Sequence, residues 1–148
     1  MEKIINIAEG KAVTSSSVEH GGTPEKAVDG KSNEGNYTAN GVCARTKNEY
    51  SSIHVDIEEE SAIKSIKLVG RADECSDEEC RTQSTGWTIR VGNNGKDSDP
   101  ICKENVDAYG GKLISIQCKE DLSGRFVSVF SRTWIVLCEI QIFVEEQG

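Results

Sequence analysis

Short segments in which apolar and polar residues alternate with a period of two recur along this chain, and they restrict its fold more than any other feature. Successive side chains of a β-strand point to opposite faces of a sheet, so each segment predicts a strand that buries one face. No segment shows a convincing helical period. The apolar positions of the four clearest segments are Ile53, Val55 and Ile57; Trp87, Ile89 and Val91; Val127 and Val129; and Cys138, Ile140 and Ile142.

Turn-forming residues separate these segments, as in Asp29-Gly30, Gly110-Gly111 and Ser123-Gly124. Many short strands with such punctuation are typical of a β-sandwich or a β-barrel. The 148 residues fit one domain spanning residues 1–148. Two long polar stretches, 30–48 and 71–86, are the expected binding loops, because function on a β scaffold is usually carried by loops.

The charge balance restricts the partners of the chain. Its 25 acidic and 17 basic residues give a net charge of −8. Nucleic acids and anionic membranes are bound through a basic surface, so neither is an expected partner. The longest apolar run of the C-terminal third, residues 134–138, is too short to cross a bilayer. A small site where a few arginines converge is compatible with this composition.

The six cysteines indicate an extracellular, disulfide-bonded protein. A zinc site is a weak alternative, because the chain has only two histidines and no Cys-x-x-Cys pair. Asn36-Tyr37-Thr38 is a glycosylation sequon, which suits secretion. We expect Met1 to mark a start that follows a removed signal peptide.

Several longer motifs occur in order over nearly the whole chain. They are Asn6-Ile7-Ala8-Glu9-Gly10-Lys11-Ala12, Ala27-Val28-Asp29-Gly30, Val55-Asp56-Ile57, Arg71-Ala72-Asp73, Ile89-Arg90-Val91-Gly92, Gly124-Arg125-Phe126-Val127-Ser128-Val129 and Leu137-Cys138-Glu139-Ile140. In this order the series resembles the F-type lectin (fucolectin) family, whose calcium-containing fold is related to the discoidin domains of coagulation factors. The resemblance implies an all-β, discoidin-like β-sandwich jelly roll.

The same resemblance implies three disulfides, which residue counting alone cannot assign because six cysteines allow fifteen connectivities. The cysteine of the first long loop pairs with the last strand in the family, which corresponds here to Cys43 and Cys138. The second family pair corresponds to Cys102 and Cys118, and Cys75 is left to pair with Cys80.

A structural calcium ion is also implied by the resemblance, and it would pin the long binding loop. Calcium prefers six to eight oxygen ligands, which side chains and backbone carbonyls both supply. Mapped onto this chain, the ligands are the side chains of Asp29 and Glu139, the carbonyls of Lys26 and Cys138, and further oxygens from Lys31 or Ser32 and from near Val42. The alternative is that Asp29-Gly30 is an ordinary turn and Glu139 a solvated strand residue.

The ligand site implied by the resemblance combines basic donors with an apolar plate for one sugar face. The mapped residues are Arg45, at the family's histidine position, Arg71, Asp73, Arg81, and the cysteine pair Cys75 and Cys80. Here the two cysteines are separated by four residues, whereas the family has adjacent cysteines. Three arginines would also suit an anionic sugar.

We therefore expect a non-catalytic lectin domain that binds fucose or a related terminal sugar on glycans or glycoproteins. The alternative is a protein-interaction or adhesion module whose sugar pocket has degenerated. His54 and Asp56 share a strand face, but they are interpreted as outer-face residues rather than a catalytic dyad, and Trp134 as a core or rim aromatic. The sequence does not determine the oligomeric state, and it is compatible with a homo-oligomer.

Overall fold

The computed structural model of the chain describes residues 3–30, 43–71, 81–110 and 112–146. Within these residues it forms ten β-strands and one 3-10 helix, Pro24–Val28. The strands are β1 (Ile4–Asn6), β2 (Ala12–Ser15), β3 (Ala44–Arg45), β4 (Ser51–Ala62), β5 (Ser65–Gly70), β6 (Trp87–Gly92), β7 (Ile101–Val106), β8 (Ile114–Ile116), β9 (Ser123–Ser131) and β10 (Val136–Glu145). None of the described helical residues forms a helix with the length and apolarity that a bilayer crossing requires.

The strands form two antiparallel sheets that enclose one main core. In the first sheet the order is β1-β10-β5-β8, with β3 also paired to β10. In the second the order is β2-β4-β9-β6-β7. Apolar residues of both sheets pack into the same cluster, for example Ile53 and Ile89 against Leu68 and Ile140. The predicted all-β sandwich is therefore confirmed.

Two of the three predicted disulfides are present. Cys43 is bonded to Cys138 across 95 residues, and Cys102 to Cys118 across 16. In the chain-entropy account, the longer loop closed by Cys43–Cys138 adds about 4–5 kcal/mol to the free energy of unfolding, and the shorter loop closed by Cys102–Cys118 adds about 3 kcal/mol. The third pair, Cys75 and Cys80, lies outside the described residues, as does the sequon at Asn36.

The predicted alternation holds in β4 and β6. Ile53, Val55 and Ile57 are at most 4% exposed, while the intervening residues are half-buried. Trp87 and Ile89 are fully buried, and Thr88 between them is not. One face of each strand therefore meets the core, and the other remains accessible.

The prediction of a single buried face is wrong for the second half of β9 and the first half of β10. Residues 127–131 of β9 and 136–140 of β10 are all buried. The outer face of β9 is covered by β4, since the His54 ring meets Phe130 edge-on at 5.4 Å. In β10, Leu137 and Ile140 belong to the main core, whereas Val136 and Cys138 are buried against Cys43 and Val69.

A β-bulge in β10 changes the facing of Cys138. The register with β5 shifts between Leu137 and Glu139, and the extra residue breaks the period of two. Cys138 therefore packs with Cys43, Val69 and Val136 in a second small cluster. The sequence placed it on the same face as Ile140, which was wrong because a bulge leaves no mark in the alternation.

The acidic run of residues 58–60 forms an irregularity within a strand. It lies inside β4, where the pairing with β9 is interrupted between Asp56 and Ser61. Glu58 there has a positive φ of 76°, which is uncommon for a residue other than glycine.

Candidate functional site

The start of β10 brings distant segments of the chain to one end of the first sheet. Leu137 is paired on one side with Ala44 of β3 and on the other with Gly70 of β5. The neighbouring Val136 donates its amide to the Gln83 carbonyl at 2.8 Å. The segments that carry Arg45, Arg71 and Arg81 are thus all anchored at the same few residues of β10.

Arg45 is the most enclosed of the three arginines, with 12% of its side chain exposed. Its Nε lies 3.8 Å from a carboxylate oxygen of Glu19, and its guanidinium carbon lies 5.2 Å from the ring centre of Trp134. A carboxylate and an aromatic face together fix the orientation of a guanidinium. Arg45 therefore presents a charged group of defined direction at this end of the sheet.

Arg71 directly follows β5 and is held through both its backbone and its side chain. Its amide donates to Ser84 Oγ at 2.8 Å, its carbonyl accepts from the Gly110 amide at 2.9 Å, and its Nη1 donates to Gln83 Oε1. Gln83 is only 2% exposed, so it is a rigid support. Asp73, the predicted partner of Arg71, lies outside the described residues.

Arg81 lies further out on the rim of the same end. Its side chain is 63% exposed, its Nη2 is 3.9 Å from Asp107 Oδ2, and its guanidinium carbon is 5.5 Å from the Tyr109 ring centre. Ion pairs as exposed as this one contribute little to stability. Arg81 is therefore available for a ligand at low cost.

Trp134 connects two of the arginine-bearing segments, those of Arg45 and Arg81. It is half-buried, lies beside Arg45, and its Nε1 is 3.5 Å from Thr82 Oγ1, next to Arg81. This indole supplies apolar surface beside the guanidinium groups. The sequence predicted a core or rim aromatic but gave no sign of these contacts, and it likewise missed Glu19.

Glycine allows this end of the molecule to close tightly. Gly70 donates its amide to the Ala108 carbonyl at 3.0 Å, and a Cβ at Gly70 would collide with that carbonyl oxygen. The residue that precedes Arg71 is therefore held against the segment that carries Asp107 and Tyr109. Any side chain there would push the Arg71 and Arg81 supports apart.

The predicted calcium loop is only partly described. Asp29 caps the C-terminal end of the 3-10 helix, which packs against β10 and β3 through its buried Ala27 and Val28. Glu139 in β10 is 1% exposed, and a carboxylate that is this deeply buried requires compensation by hydrogen bonds or a cation. Lys31, Ser32 and Val42 lie outside the described residues.

A further carboxylate, which the sequence did not indicate, lies at this loop. Gly30 has a φ of +71°, and a Cβ built there would be 2.6 Å from Glu9 Oε1. The oxygen donors of Asp29, Glu139 and the nearby carbonyls are the type that a hard cation prefers. Across the described ranges, however, no three His, Cys, Asp or Glu side chains are close enough to form a metal site by themselves.

His54 and Asp56 belong to separate networks. His54 Nδ1 is 2.7 Å from Ser128 Oγ and its Nε2 is 2.9 Å from Ser52 Oγ, while Asp56 accepts two 2.8 Å bonds from Arg125. Burial lowers the pKa of His54, although Asp99 opposes the shift, and the hydrogen bond from Arg125 lowers the pKa of Asp56. The imidazole and the carboxylate are thus already occupied by other partners, as expected for structural residues.

Known proteins similar to this chain include two fucolectins and a bacterial fucose binding module. Fucolectin-6 of Anguilla japonica is 27% identical over 119 residues, which are 78% of this chain and 60% of that protein. A fucolectin from the serum of Morone saxatilis (striped bass) has a TM-score of 0.82 at 24% identity, covering 96% of this chain and 49% of its own. A Streptococcus pneumoniae fucose binding module has a TM-score of 0.74 at 24% identity, covering 95% of both chains.

This chain spans only about half to three fifths of the first two relatives. The solved structures share its discoidin-like fold, and the predicted relationship to the F-type lectins is confirmed. The model of the F5/F8 type C family described as NedA-like, galactose-binding domain matches residues 26–129, which is more than half of the chain. The chain therefore belongs to the NedA-like, galactose-binding domain family and is a homologue of the fucolectins.

Proposed function

We propose that this chain is a non-catalytic, extracellular carbohydrate-binding domain that recognises fucose or a related terminal sugar. The observation that carries the proposal is the pairing of Leu137 with both Ala44 and Gly70, which anchors Arg45 and Arg71 at one end of the sheet. Relatives named as fucolectins and as a fucose binding module support the sugar class. The disulfides support an oxidising compartment.

Each part of the site has a role that follows from its chemistry. The guanidinium groups of Arg45, Arg71 and Arg81 donate hydrogen bonds to hydroxyl and ring oxygens of the sugar. Trp134 offers the apolar surface on which one sugar face packs. It replaces in this role the adjacent-cysteine plate that the chain lacks.

A structural calcium ion is part of the proposal. Asp29 and Glu139 would hold it with backbone carbonyls of the same loop, and it would supply a fixed positive charge that compensates the buried Glu139 carboxylate. Because an ion that binds only the folded state adds stability by mass action, a concentration of about 100 times its Kd would add about 2.7 kcal/mol.

A glycan array probed with and without a chelator tests the function. We expect signals on fucosylated glycans, lost with the chelator and restored by calcium but not by magnesium. Silence on all fucosylated and acidic glycans would reject the lectin function. Full binding and an unchanged Tm in the presence of the chelator would reject the calcium ion alone.

A protein-interaction or adhesion module is the competing function. The enclosure of Arg45, which is 12% exposed and lies between Glu19 and Trp134, favours it, because a donor already occupied is less available to a sugar. Binding of the domain to an enzymatically deglycosylated target, together with a silent array, would favour this module.

A further inference from the structure

A groove of about 660 Å³ lies on the outer face of the second sheet. Phe130 and the side chains that flank it line its floor, and Tyr50, 58% exposed, stands at its rim. The volume falls in the range of sites that hold small organic ligands. We call it the β6–β9 groove.

The β6–β9 groove adjoins the arginine site. Thr82, whose Oγ1 is 3.5 Å from Trp134 Nε1, lines the groove, and so does Thr133, the residue before Trp134. Thr82 also directly follows Arg81 in the chain. A ligand that packs on Trp134 can therefore continue into the groove without leaving the surface.

The charge of the groove is opposite to that of the whole chain. Arg90 and Arg132 line it, against the single carboxylate of Glu104. At physiological ionic strength the Debye length is about 8 Å, so these nearby charges outweigh the distant net charge of −8. The groove is therefore a local site of attraction for an anion on an acidic protein.

Arg90 is already held in place. Its Nη1 donates to the Asp99 carbonyl at 2.7 Å, and its guanidinium carbon lies 5.6 Å from the Phe130 ring centre. A guanidinium that is fixed before the ligand arrives loses less entropy on binding. Arg132, by contrast, is exposed, and its long side chain can reach a ligand from the rim.

We propose that the β6–β9 groove binds a second sugar unit of the same glycan, one that carries an anionic group, either carboxylate or sulfate. The terminal sugar occupies the arginine site, and the next units cross Trp134 into the groove. Arg90 and Arg132 bind the anion. Threonine hydroxyls bind the sugar hydroxyls, and Tyr50 packs on the ring. This inference rests on the proposed lectin function.

Calorimetric titration with matched oligosaccharides tests the groove. The probes are a neutral fucosylated tetrasaccharide, the same glycan with a sulfated adjoining galactose, and the same glycan with a sialic acid on that galactose. We expect at least one of the two anionic glycans to bind about tenfold tighter than the neutral glycan. The glycan that does so identifies the anion as sulfate or carboxylate. Equal affinity for all three would overturn the groove proposal while leaving the lectin function standing.

Variants separate the groove from the arginine site. Arg132→Gln and Arg90→Gln should each abolish the preference for the anionic form while changing the neutral affinity less than twofold. Lys119→Gln removes one exposed positive charge outside the groove and should retain the preference. Arg90→Gln also removes the hydrogen bond to the Asp99 carbonyl and can therefore lower the Tm. If it does, the result of Arg132→Gln, at an exposed residue, decides the test.

A preference that survives Arg132→Gln undiminished would also overturn the proposal. If the wild-type protein binds none of the three glycans, the lectin function is rejected, and the groove proposal with it.

Discussion

The two ends of the sandwich carry cavities of similar size but opposite charge. At the arginine end, the β6–β9 groove of about 660 Å³ is lined by two arginines and one glutamate. At the opposite end, a groove of about 630 Å³ is lined by Glu58, Glu59, Glu60, Glu145 and Glu146 with Lys11 and Lys64. The net charge of −8 is therefore distributed unevenly.

The comparison shows how the same kind of residue serves different purposes. At the acidic end, cations neutralise carboxylates: Lys64 lies 3.1 Å from Glu145, and Arg125 makes two hydrogen bonds to Asp56. At the arginine end, backbone and amide groups hold Arg71, and its support Gln83 is uncharged. Arg45 and Arg81 at the same end also lie near carboxylates, at 3.8 Å from Glu19 and 3.9 Å from Asp107, and both distances are longer than those of Lys64 and Arg125 at the acidic end.

The largest expected effect on stability comes from removing the Cys43–Cys138 disulfide at the arginine end. Replacing Cys43 and Cys138 together by alanine should lower the free energy of unfolding by about 4–5 kcal/mol, against about 3 for Cys102 and Cys118. Urea titration of the two double variants measures both values. Equal losses of unfolding free energy, or a larger loss for Cys102 and Cys118, would contradict the larger contribution of Cys43–Cys138 to stability.

The next largest effect compares one arginine from each end. Arg71→Ala should weaken glycan binding at least 100-fold, since its guanidinium can donate two hydrogen bonds to the sugar and each bond from a charged donor is worth about 1.5–3 kcal/mol. Arg125→Ala, the matched change at the acidic end, should leave the affinity unchanged. Calorimetry measures the affinities.

The Tm serves as the control for folding in this pair. It should fall moderately in Arg71→Ala, because the backbone bonds of residue 71 to Ser84 and Gly110 remain while the buried Gln83 loses its donor, and the domain should stay folded. If Arg71→Ala binds glycan normally while Arg125→Ala does not, the two ends have been assigned the wrong way round.

A smaller effect tests the apolar surface at the arginine end. Trp134→Ala should reduce affinity for a terminal sugar about tenfold, which corresponds to about 1.4 kcal/mol, whereas Trp134→Phe should retain most of it because an aromatic face remains. Titration with the monosaccharide avoids contributions from the groove. Equal affinities of the two variants would show that the aromatic face is not used.

The smallest effect concerns His54, which lies on the sheet face between the two ends. Because burial lowers its pKa below the usual 6.5, the unfolded chain binds a proton more readily. The stability from this shift is present above pH 6.5 and is lost as the pH falls through the folded pKa. His54→Asn should lose less stability than the wild type between pH 7 and pH 5, and parallel pH profiles of Tm would contradict this.

Predictions from the sequence succeeded where the signal is local to a strand and failed where it depends on tertiary structure. The alternation in β4 predicted its buried face because the residues between Ile53, Val55 and Ile57 remain partly exposed. In β10 it failed at Cys138, because the bulge and the packing of Cys138 against Cys43 and Val69 are tertiary features. The disulfides Cys43–Cys138 and Cys102–Cys118 came from the family resemblance and are confirmed.

The candidate site was predictable only in part. The motif around Arg71 marked one arginine, and the resemblance placed Arg45 and Arg81 beside it. Glu19 and Trp134 were not recognised as neighbours of Arg45, since their contacts depend on strand pairing between segments far apart in the chain. The calcium ligands Lys31, Ser32 and Val42 stay predictions.

The anchoring of Arg71 and of residues 81–84 makes this domain suitable for loop grafting. Both sides of the intervening stretch, 72–80, end on residues fixed to the scaffold: Arg71 by Ser84 and Gly110, and Gln83 by Val136. Randomised peptides can replace residues 76–79 within that stretch, which keeps the predicted site residues Asp73, Cys75 and Cys80. Libraries built in this way would yield reagents that share one sugar-contacting frame and differ in the glycans they select.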